Sequence, residues 1–342
     1  MTPHHSPDWY DRMYNNRALV PDFANHLQQW TLDSQAVRDS QPCLTDISYG
    51  SGPSETLDIF TATKPALSTP SQVPKRHGQS TPGQAPQGHG HITPSQAPQG
   101  HGQNTPSQAQ QNHRPNKASS ANSPVLVFLH GGYWRALDKS DHSFVAPSLT
   151  EQGITVVVPN YALCPAVTIP EIVMQMVKAL AWVWRHIDTW GGDASRIHVA
   201  GHSAGGHLAA MMLACDWRAY APDLPPDLVK SALSVSGLYE LDSLRRSPML
   251  QEALRLDEEQ VLKASPAWLP APKRGVLHSV VGGLESEAFL AHNQLIQNAW
   301  GRERVPTAQV LPGLHHFSMM KAFATPGHAL NQQLLALCQG KP

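Results

Sequence analysis

The stretch VAGHSAGG, residues 199–206, constrains the fold most, because it joins an apolar strand to a helix of small residues through G-x-S-x-G. Gly201 and Gly205 lack side chains and permit a sharp turn that lifts the Ser203 hydroxyl clear of a sheet. Free amides and the dipole at the start of the following helix favour developing negative charge. The pattern therefore predicts that Ser203 is a nucleophile at the carboxyl end of a strand.

The remaining chain alternates apolar strands with amphipathic helices. CLTDISYG and ETLDIFTA predict a hairpin that turns around residues 51–54. PVLVFLH predicts a strand covered on both faces, and ITVVVP predicts a further strand. Helices are predicted over IPEIVMQMVKALAWVWRHIDTW, at about 139–152, in the 241–263 region and over about 318–338. This alternation predicts an α/β fold with a mostly parallel sheet, helices on both faces and functional groups at the carboxyl ends of the strands.

A polar segment, residues 64–122, interrupts this pattern and contains four 12-residue repeats over 69–116. It has almost no large apolar side chains, so we expect a disordered insertion in a single domain spanning 1–342. One histidine recurs in each repeat, at His77, His89, His101 and His113. Solvated imidazoles and transition-metal capture are the two interpretations, and single flexible histidines favour the first.

The charge and cysteine content narrow the possible partners and surroundings. A formal net charge of −1 gives no electrostatic reason to expect nucleic acid or an anionic membrane as a partner. Cys43, Cys164, Cys215 and Cys338 are scattered without a CxxC pair, which is typical of reduced cytosolic proteins. No apolar run approaches the ~20 residues that span a bilayer, and no signal peptide is evident. We expect a cytoplasmic protein with a small-molecule substrate, while its oligomeric state cannot be deduced.

A serine hydroxyl needs a base, which is expected in a loop after a later strand. VLPGLHHFSMM places His315 and His316 after the last predicted strand, and His316 is the preferred candidate, with His315 as the alternative. His202, at the variable position of the serine turn, is interpreted as structural.

An acid that orients the base is expected after the preceding strand, in the order serine, acid, histidine. VVGGLESEAF offers Glu285 and Glu287 there, and Glu285 is preferred because it lies closer to the strand end. Asp242, which follows an earlier strand, is a third candidate.

Acyl transfer also needs amide donors for a tetrahedral oxyanion. One is expected from Ala204, and the others from the loop HGGYW, in which Gly131, Gly132 and Tyr133 turn amides toward the substrate. Tyr133 and Trp134 are expected to wall the substrate pocket with aromatic surface, although core packing is an equal alternative for Trp134.

HGGYW, GHSAGGH and HHF, in this order, resemble the α/β-hydrolase superfamily, and more narrowly the arylformamidase (kynurenine formamidase-like) group. YNNRALVPD, YGSGPSETLDIF and VPNYALCP are similar to that group's pattern, whereas the 12-residue repeats have no counterpart in it. The resemblance implies an α/β-hydrolase fold, Ser203 as nucleophile, His316 as base and Glu285 where many members have aspartate. It implies no cofactor and no metal.

The resemblance implies two activities that the sequence does not separate, and a third, non-catalytic function from a different class is the rival to both. The first is hydrolysis of an aryl formamide such as N-formyl-L-kynurenine through a formyl-enzyme, which would place the protein in tryptophan catabolism, the kynurenine pathway. The second is carboxylesterase activity on short acyl esters. The third is a non-catalytic binding protein on a hydrolase fold.

Overall fold

The computed structural model describes residues 5–63 and 122–340, and eight strands in them form one sheet. They are β1 Cys43–Ser48, β2 Thr56–Phe60, β3 Ser123–Leu129, β4 Thr155–Pro159, β5 Gly192–His202, β6 Val229–Val235, β7 Val276–Gly282 and β8 Thr307–Leu311. Their order is β1-β2-β4-β3-β5-β6-β7-β8. β2 runs antiparallel to β1 and β4, whereas β3 to β8 pair in parallel. The predicted α/β architecture, with its leading hairpin, is confirmed.

Thirteen α-helices occur in the described residues. They are α1 Pro7–Tyr14, α2 Asn16–Leu19, α3 Phe23–Ser40, α4 Pro147–Thr150, α5 Ile169–His186, α6 Ala204–Ala214, α7 Trp217–Tyr220, α8 Asp242–Arg245, α9 Pro248–Leu254, α10 Glu258–Ala264, α11 Glu287–Arg304, α12 Ser318–Ala324 and α13 Ala329–Cys338. None of them is long and apolar enough to cross a membrane.

Three predicted helices are shorter or more broken than expected, and a proline lies at a break in each. The 139–152 region holds two 3₁₀ turns before α4, which begins at Pro147. The 241–263 region divides into α8, α9 and α10, with Pro248 at the start of α9. Pro326 separates α12 from α13. Proline lacks an amide hydrogen and clashes with the preceding helical turn, so a continuous helix is interrupted at each of these prolines.

The core lies on both faces of the sheet. Alternate side chains of β3 enter two different clusters of buried residues: Val125, Val127 and Leu129 join one, and Leu126 and Phe128 join the other. Since neighbouring side chains of a strand point to opposite faces, the two clusters cover opposite sides of the sheet. Every residue of β3 is buried, as predicted for a strand with helices on both sides.

The strand register determines which loops meet. Leu129 at the end of β3 pairs with Gly201 near the end of β5, so the HGGYW loop leaves the sheet beside the serine turn. Gly282 at the end of β7 pairs with Leu311 at the end of β8, which brings together the loops that carry Glu285 and His316. The parallel sheet thus gathers these segments at one edge.

The insertion at 64–122 and its four repeat histidines remain predictions, since residues 64–121 lie outside the described residues. The sequence analysis made no prediction for residues 7–40, where α1, α2 and α3 lie.

Candidate active site

Ser203 occupies the strained turn that the G-x-S-x-G pattern predicts. Its backbone has φ 57° and ψ −119°. The residue lines a cavity, and 2% of its surface is exposed. A Cβ on Gly201 would approach Gly205 O to 2.1 Å, and one on Gly205 would approach Leu129 O to 1.9 Å. Both positions therefore need glycine, because the turn packs directly against the neighbouring backbone.

His316 and Glu285 form a buried pair at the same edge of the sheet. His316 Nδ1 lies 2.6 Å from Glu285 Oε2. The other carboxylate oxygen, Oε1, accepts hydrogen bonds from Ser236 Oγ at 2.5 Å and from Gly282 N at 2.8 Å. Since a carboxylate accepts from Nδ1–H, a neutral His316 keeps its Nε2 lone pair available for a proton.

The alternative acids and base occupy other environments. Glu287 is exposed and accepts a hydrogen bond from Trp9 Nε1 at 3.1 Å. Asp242 pairs with Arg245 at 2.8 Å, at the start of α8. The imidazole of His315 accepts a hydrogen bond from the amide of Ser318. No hydrogen bond joins it to a carboxylate among the described residues. The geometry therefore favours the pair of Glu285 and His316.

The HGGYW loop lies beside the serine. A Cβ on Gly131 would come within 3.2 Å of Ser203 Cβ, so the two backbones are adjacent. Gly132 and Tyr133 have φ values of +103° and +49°, and their amides donate to no acceptor among the described residues. Ala204 is the first residue of α6, where helix amides have no partner within the helix. These amides are available to donate to an oxyanion, and that role for them stays a prediction.

Trp134 does not line the cavity, contrary to the prediction of an aromatic pocket wall. Its side chain is fully buried in the core and packs edge-on against His207, with ring centroids 4.9 Å apart. Tyr133, the preceding residue, does line the cavity, and both residues have left-handed backbones, with φ values of 49° and 53°. Core packing is thus the correct alternative for Trp134.

A cavity of about 310 Å³ contains Ser203 and His316 in its wall. Another part of the wall comes from the N-terminal helices α1, α2 and α3 and from Asn15, which links α1 to α2. The residues are Tyr14, Asn15, Asn16, Arg17, Leu27 and Trp30. We call this wall the N-terminal cap. No residue of the N-terminal cap was predicted to lie at the site, although YNNRALVPD, which includes Tyr14 to Arg17, carries part of the family resemblance.

Hydrogen bonds tie the cap to the HGGYW loop. Tyr133 Oη donates to the carbonyl of Tyr14 at 2.7 Å, and Asn16 Nδ2 donates to Tyr133 Oη at 3.4 Å. Tyr14 is fixed in turn, since its hydroxyl lies 2.6 Å from Ser243 Oγ and 3.0 Å from His292 Nε2. The cap therefore holds the loop that presents the amides.

His202, interpreted from the sequence as structural, also lies in the wall of the cavity. Its Nε2 donates to the backbone carbonyl of His316 at 2.9 Å. Burial, together with the nearby imidazole of His316, lowers the pKa of His202 well below its usual value. A neutral His202 therefore fixes the backbone of His316 without adding charge to the site.

No group of three or more His, Cys, Asp or Glu side chains that could hold a metal ion occurs in residues 5–63 and 122–340. The site is thus described by its protein groups, namely a serine, a histidine–carboxylate pair and a set of backbone amides. This arrangement can perform acyl transfer through a covalent intermediate.

The chain matches the BD-FAE family over residues 113–218. It is 35% identical to a kynurenine formamidase of Salmo salar over 229 residues, which is 64% of this chain and 74% of the relative. It is 36% identical to a kynurenine formamidase of Danio rerio over 44% of this chain, and that match spans 48%, about half, of the relative's length. It is also 34% identical to esterase LipC of Mycobacterium tuberculosis over 34% of this chain and 30% of that protein.

Solved structures share the fold. A protein of Silicibacter sp. TM1040, described as a provisional thioesterase, matches with a TM-score of 0.68 at 24% identity, over 96% of this chain and 98% of its own. Esterase B of Lactobacillus rhamnosus matches with a TM-score of 0.58 at 16% identity, over 96% and 98%. At these identities the likeness concerns the architecture alone.

Proposed function

The chain belongs to the arylformamidase (kynurenine formamidase-like) group of the α/β-hydrolase superfamily, and from this premise we propose that it is a serine hydrolase of aryl formamides. N-formyl-L-kynurenine is the proposed substrate, and formate and the arylamine are the products. The observation that carries the proposal is the buried pair of His316 and Glu285, whose histidine lines the same cavity as Ser203.

In the acylation step, Ser203 Oγ attacks the formyl carbon while His316 Nε2 takes the hydroxyl proton. Glu285 holds the resulting imidazolium in place and stabilises its charge. The carbonyl oxygen becomes an oxyanion, which accepts from the amides of the HGGYW loop and of Ala204. The tetrahedral intermediate collapses when His316 donates its proton to the amide nitrogen, the C–N bond breaks and the arylamine leaves.

In the deacylation step, water replaces the amine. His316 Nε2 takes a proton from the water as its oxygen attacks the formyl ester, and the same amides stabilise the second oxyanion. The proton then passes to Ser203 Oγ, the ester bond breaks and formic acid leaves, which loses its proton to solvent as formate. Both steps use the same residues, so the free enzyme is regenerated.

The size and lining of the cavity suit a small acyl group with an aromatic leaving group. Its volume of about 310 Å³ lies at the lower end of the range for small-molecule pockets, about 300–1,000 Å³. Tyr133, Trp30 and Phe317 give it aromatic surface against which a phenyl ring can pack. A formyl group is the smallest acyl group, so most of this space is available to the arylamine portion.

Carboxylesterase activity on short acyl esters is the second candidate function. It is favoured by the similarity to esterase LipC, and the proposed chemistry is the same with an alcohol as the leaving group. The two functions differ in the leaving group that His316 must protonate.

The deciding experiment compares kcat/KM on N-formyl-L-kynurenine with kcat/KM on short p-nitrophenyl esters. A value on the formamide in the range of dedicated enzymes, about 10⁴–10⁸ M⁻¹s⁻¹, supports formamidase activity. Efficient ester hydrolysis with the formamide ignored would replace it with the esterase function. Ser203→Ala should abolish both activities and labelling by a fluorophosphonate probe, whereas Ser195→Ala, at an exposed serine, should change neither.

A further inference from the structure

The cavity beside Ser203 has an unbalanced charge. The guanidinium-bearing residues Arg17 and Arg135 line it, and none of the described residues that line it is an aspartate or a glutamate. The whole chain has a formal net charge of −1, so this positive character is local. A positively lined cleft with low-dielectric walls concentrates anions.

Arg135 is the more enclosed of the two arginines. It is half-buried, and its Nη1 donates to the carbonyl of Met249 at 3.1 Å, which fixes the side chain against another cavity residue. No carboxylate among the described residues pairs with it, whereas Arg185 and Arg245 pair with Asp223 and Asp242. A guanidinium has five N–H donors, so Arg135 keeps several for a ligand.

Arg17 extends the positive surface outward. It is exposed, and its guanidinium lies 5.4 Å from the ring centroid of Phe23. This contact directs the side chain without neutralising its charge. Arg17 can attract an anion to the cavity, and Arg135 can bind it in a more defined geometry.

We propose that Arg135 forms a carboxylate-binding subsite in this cavity, so that the enzyme selects substrates whose leaving group carries a carboxylate. The inference rests on the proposed function, because it names the substrate class of that same site. Arginine suits this role, since its planar fork of donors matches both oxygens of a carboxylate. Arg135 is a specificity-determining residue and takes no part in the bond changes at Ser203.

The same asymmetry applies to the ammonium group of an amino-acid substrate. With no described carboxylate in the cavity wall, an ammonium has no ionic partner there. The α-amino group of N-formyl-L-kynurenine is therefore dispensable, and the carboxylate carries the recognition.

The test uses three aryl formamides: N-formyl-L-kynurenine, its deaminated analogue and its decarboxylated analogue. The wild-type enzyme should hydrolyse the first two with similar kcat/KM and the decarboxylated analogue with a value about 10- to 100-fold lower, expressed mainly in KM. Equal kcat/KM on the carboxylated and decarboxylated substrates would overturn the proposal.

Arg135→Gln should lower kcat/KM on the carboxylated substrates by about 10- to 100-fold and leave the decarboxylated analogue nearly unchanged. On the carboxylated substrates, kcat/KM of Arg135→Lys should lie between the values of the wild type and of Arg135→Gln. Arg218→Gln, which removes the same charge from an exposed position outside the cavity wall, should behave like the wild type. An equal loss on all three substrates in Arg135→Gln would show a structural role and contradict the subsite.

A pair of esters separates failure of the subsite from failure of the formamidase activity. If the wild type hydrolyses no formamide, para-acetoxybenzoate and its neutral methyl ester present the same contrast on a phenol leaving group. Preference for the anionic ester, lost in Arg135→Gln, would support the subsite in an esterase. Absence of that preference would overturn it, and unchanged turnover of p-nitrophenyl acetate would show that the variant is folded.

Discussion

Glu285 meets His316 through one oxygen only, because its second oxygen is held by Ser236 Oγ and Gly282 N. Donors at the ends of β6 and β7 thus fix the carboxylate independently of its contact with the imidazole. Such a support keeps the histidine in a single orientation and tautomer.

Glu285→Gln should lower kcat by about 10³–10⁴-fold, because the neutral amide neither stabilises the imidazolium nor enforces the Nδ1–H tautomer. Steady-state kinetics on the better of the two substrate classes measures this effect. Glu287→Gln, two positions further along the chain at an exposed site, is the matched control and should keep nearly full activity. The reverse result would exchange the roles of the two glutamates.

Tyr133→Phe should lower kcat by about tenfold, since the loop loses its hydrogen bond to the Tyr14 carbonyl while the aromatic wall remains. Its free energy of unfolding should also fall by about 1 kcal/mol in urea denaturation. Tyr49→Phe removes a similar buried bond, from Tyr49 Oη to Asn160 O at 2.7 Å, away from the cavity. It should show the loss of stability with unchanged kcat, and equal kcat in both variants would contradict the role of the loop bond.

Gly205→Ala should destabilise the protein by about 3 kcal/mol or more, because the new Cβ would lie 1.9 Å from Leu129 O. Gly313→Ala is the comparison: its φ is +73°, and no atom lies within 4 Å of the added carbon. That change should cost only the strain of a left-handed backbone, about 1 kcal/mol. Urea denaturation of both variants measures the difference, and similar losses would argue against a close approach at Gly205.

His207→Gln should weaken the pH dependence of stability. Burial lowers the pKa of His207 to about 4. Between pH 4 and pH 6.5, this histidine is therefore protonated in the unfolded chain and neutral in the folded protein. Stability contributed by the neutral state is complete above pH ~6.5 and is lost as the pH falls toward 4, by about 1.4 kcal/mol per pH unit. The glutamine can still donate to Ala264 O without titrating. Denaturation from pH 7.5 to 4.5 should give a shallower slope, and parallel slopes would contradict the prediction.

Local patterns allowed the centre of the candidate site to be predicted. The glycines around Ser203 specify a turn by themselves, and the order of strands specifies which loops follow. Glu285 and His316 could be predicted because parallel strands end at a common edge. The direction of Trp134 could not be, because consecutive residues with positive φ break the alternation of side chains that a strand would give.

The N-terminal cap could not be predicted for another reason. The polar faces of α1 and α2 find their partners far along the chain, as in the bond from Trp9 to Glu287 across 278 residues. Local propensity carries no information about such contacts. The place of His202 in the cavity wall could not be predicted for the same reason, since its partner is the backbone of His316, 114 residues away.

The sequence separation in the cap has a consequence for synthesis on the ribosome. Helix α1 emerges early, yet Glu287 and His292, whose side chains hydrogen-bond to Trp9 and Tyr14, are translated more than 270 residues later. A helix of eight residues is marginal alone in water, so α1 lacks its native contacts during this interval. The nascent chain therefore completes this wall of the cavity only after residues 287–292 have emerged, so the candidate site forms late in synthesis.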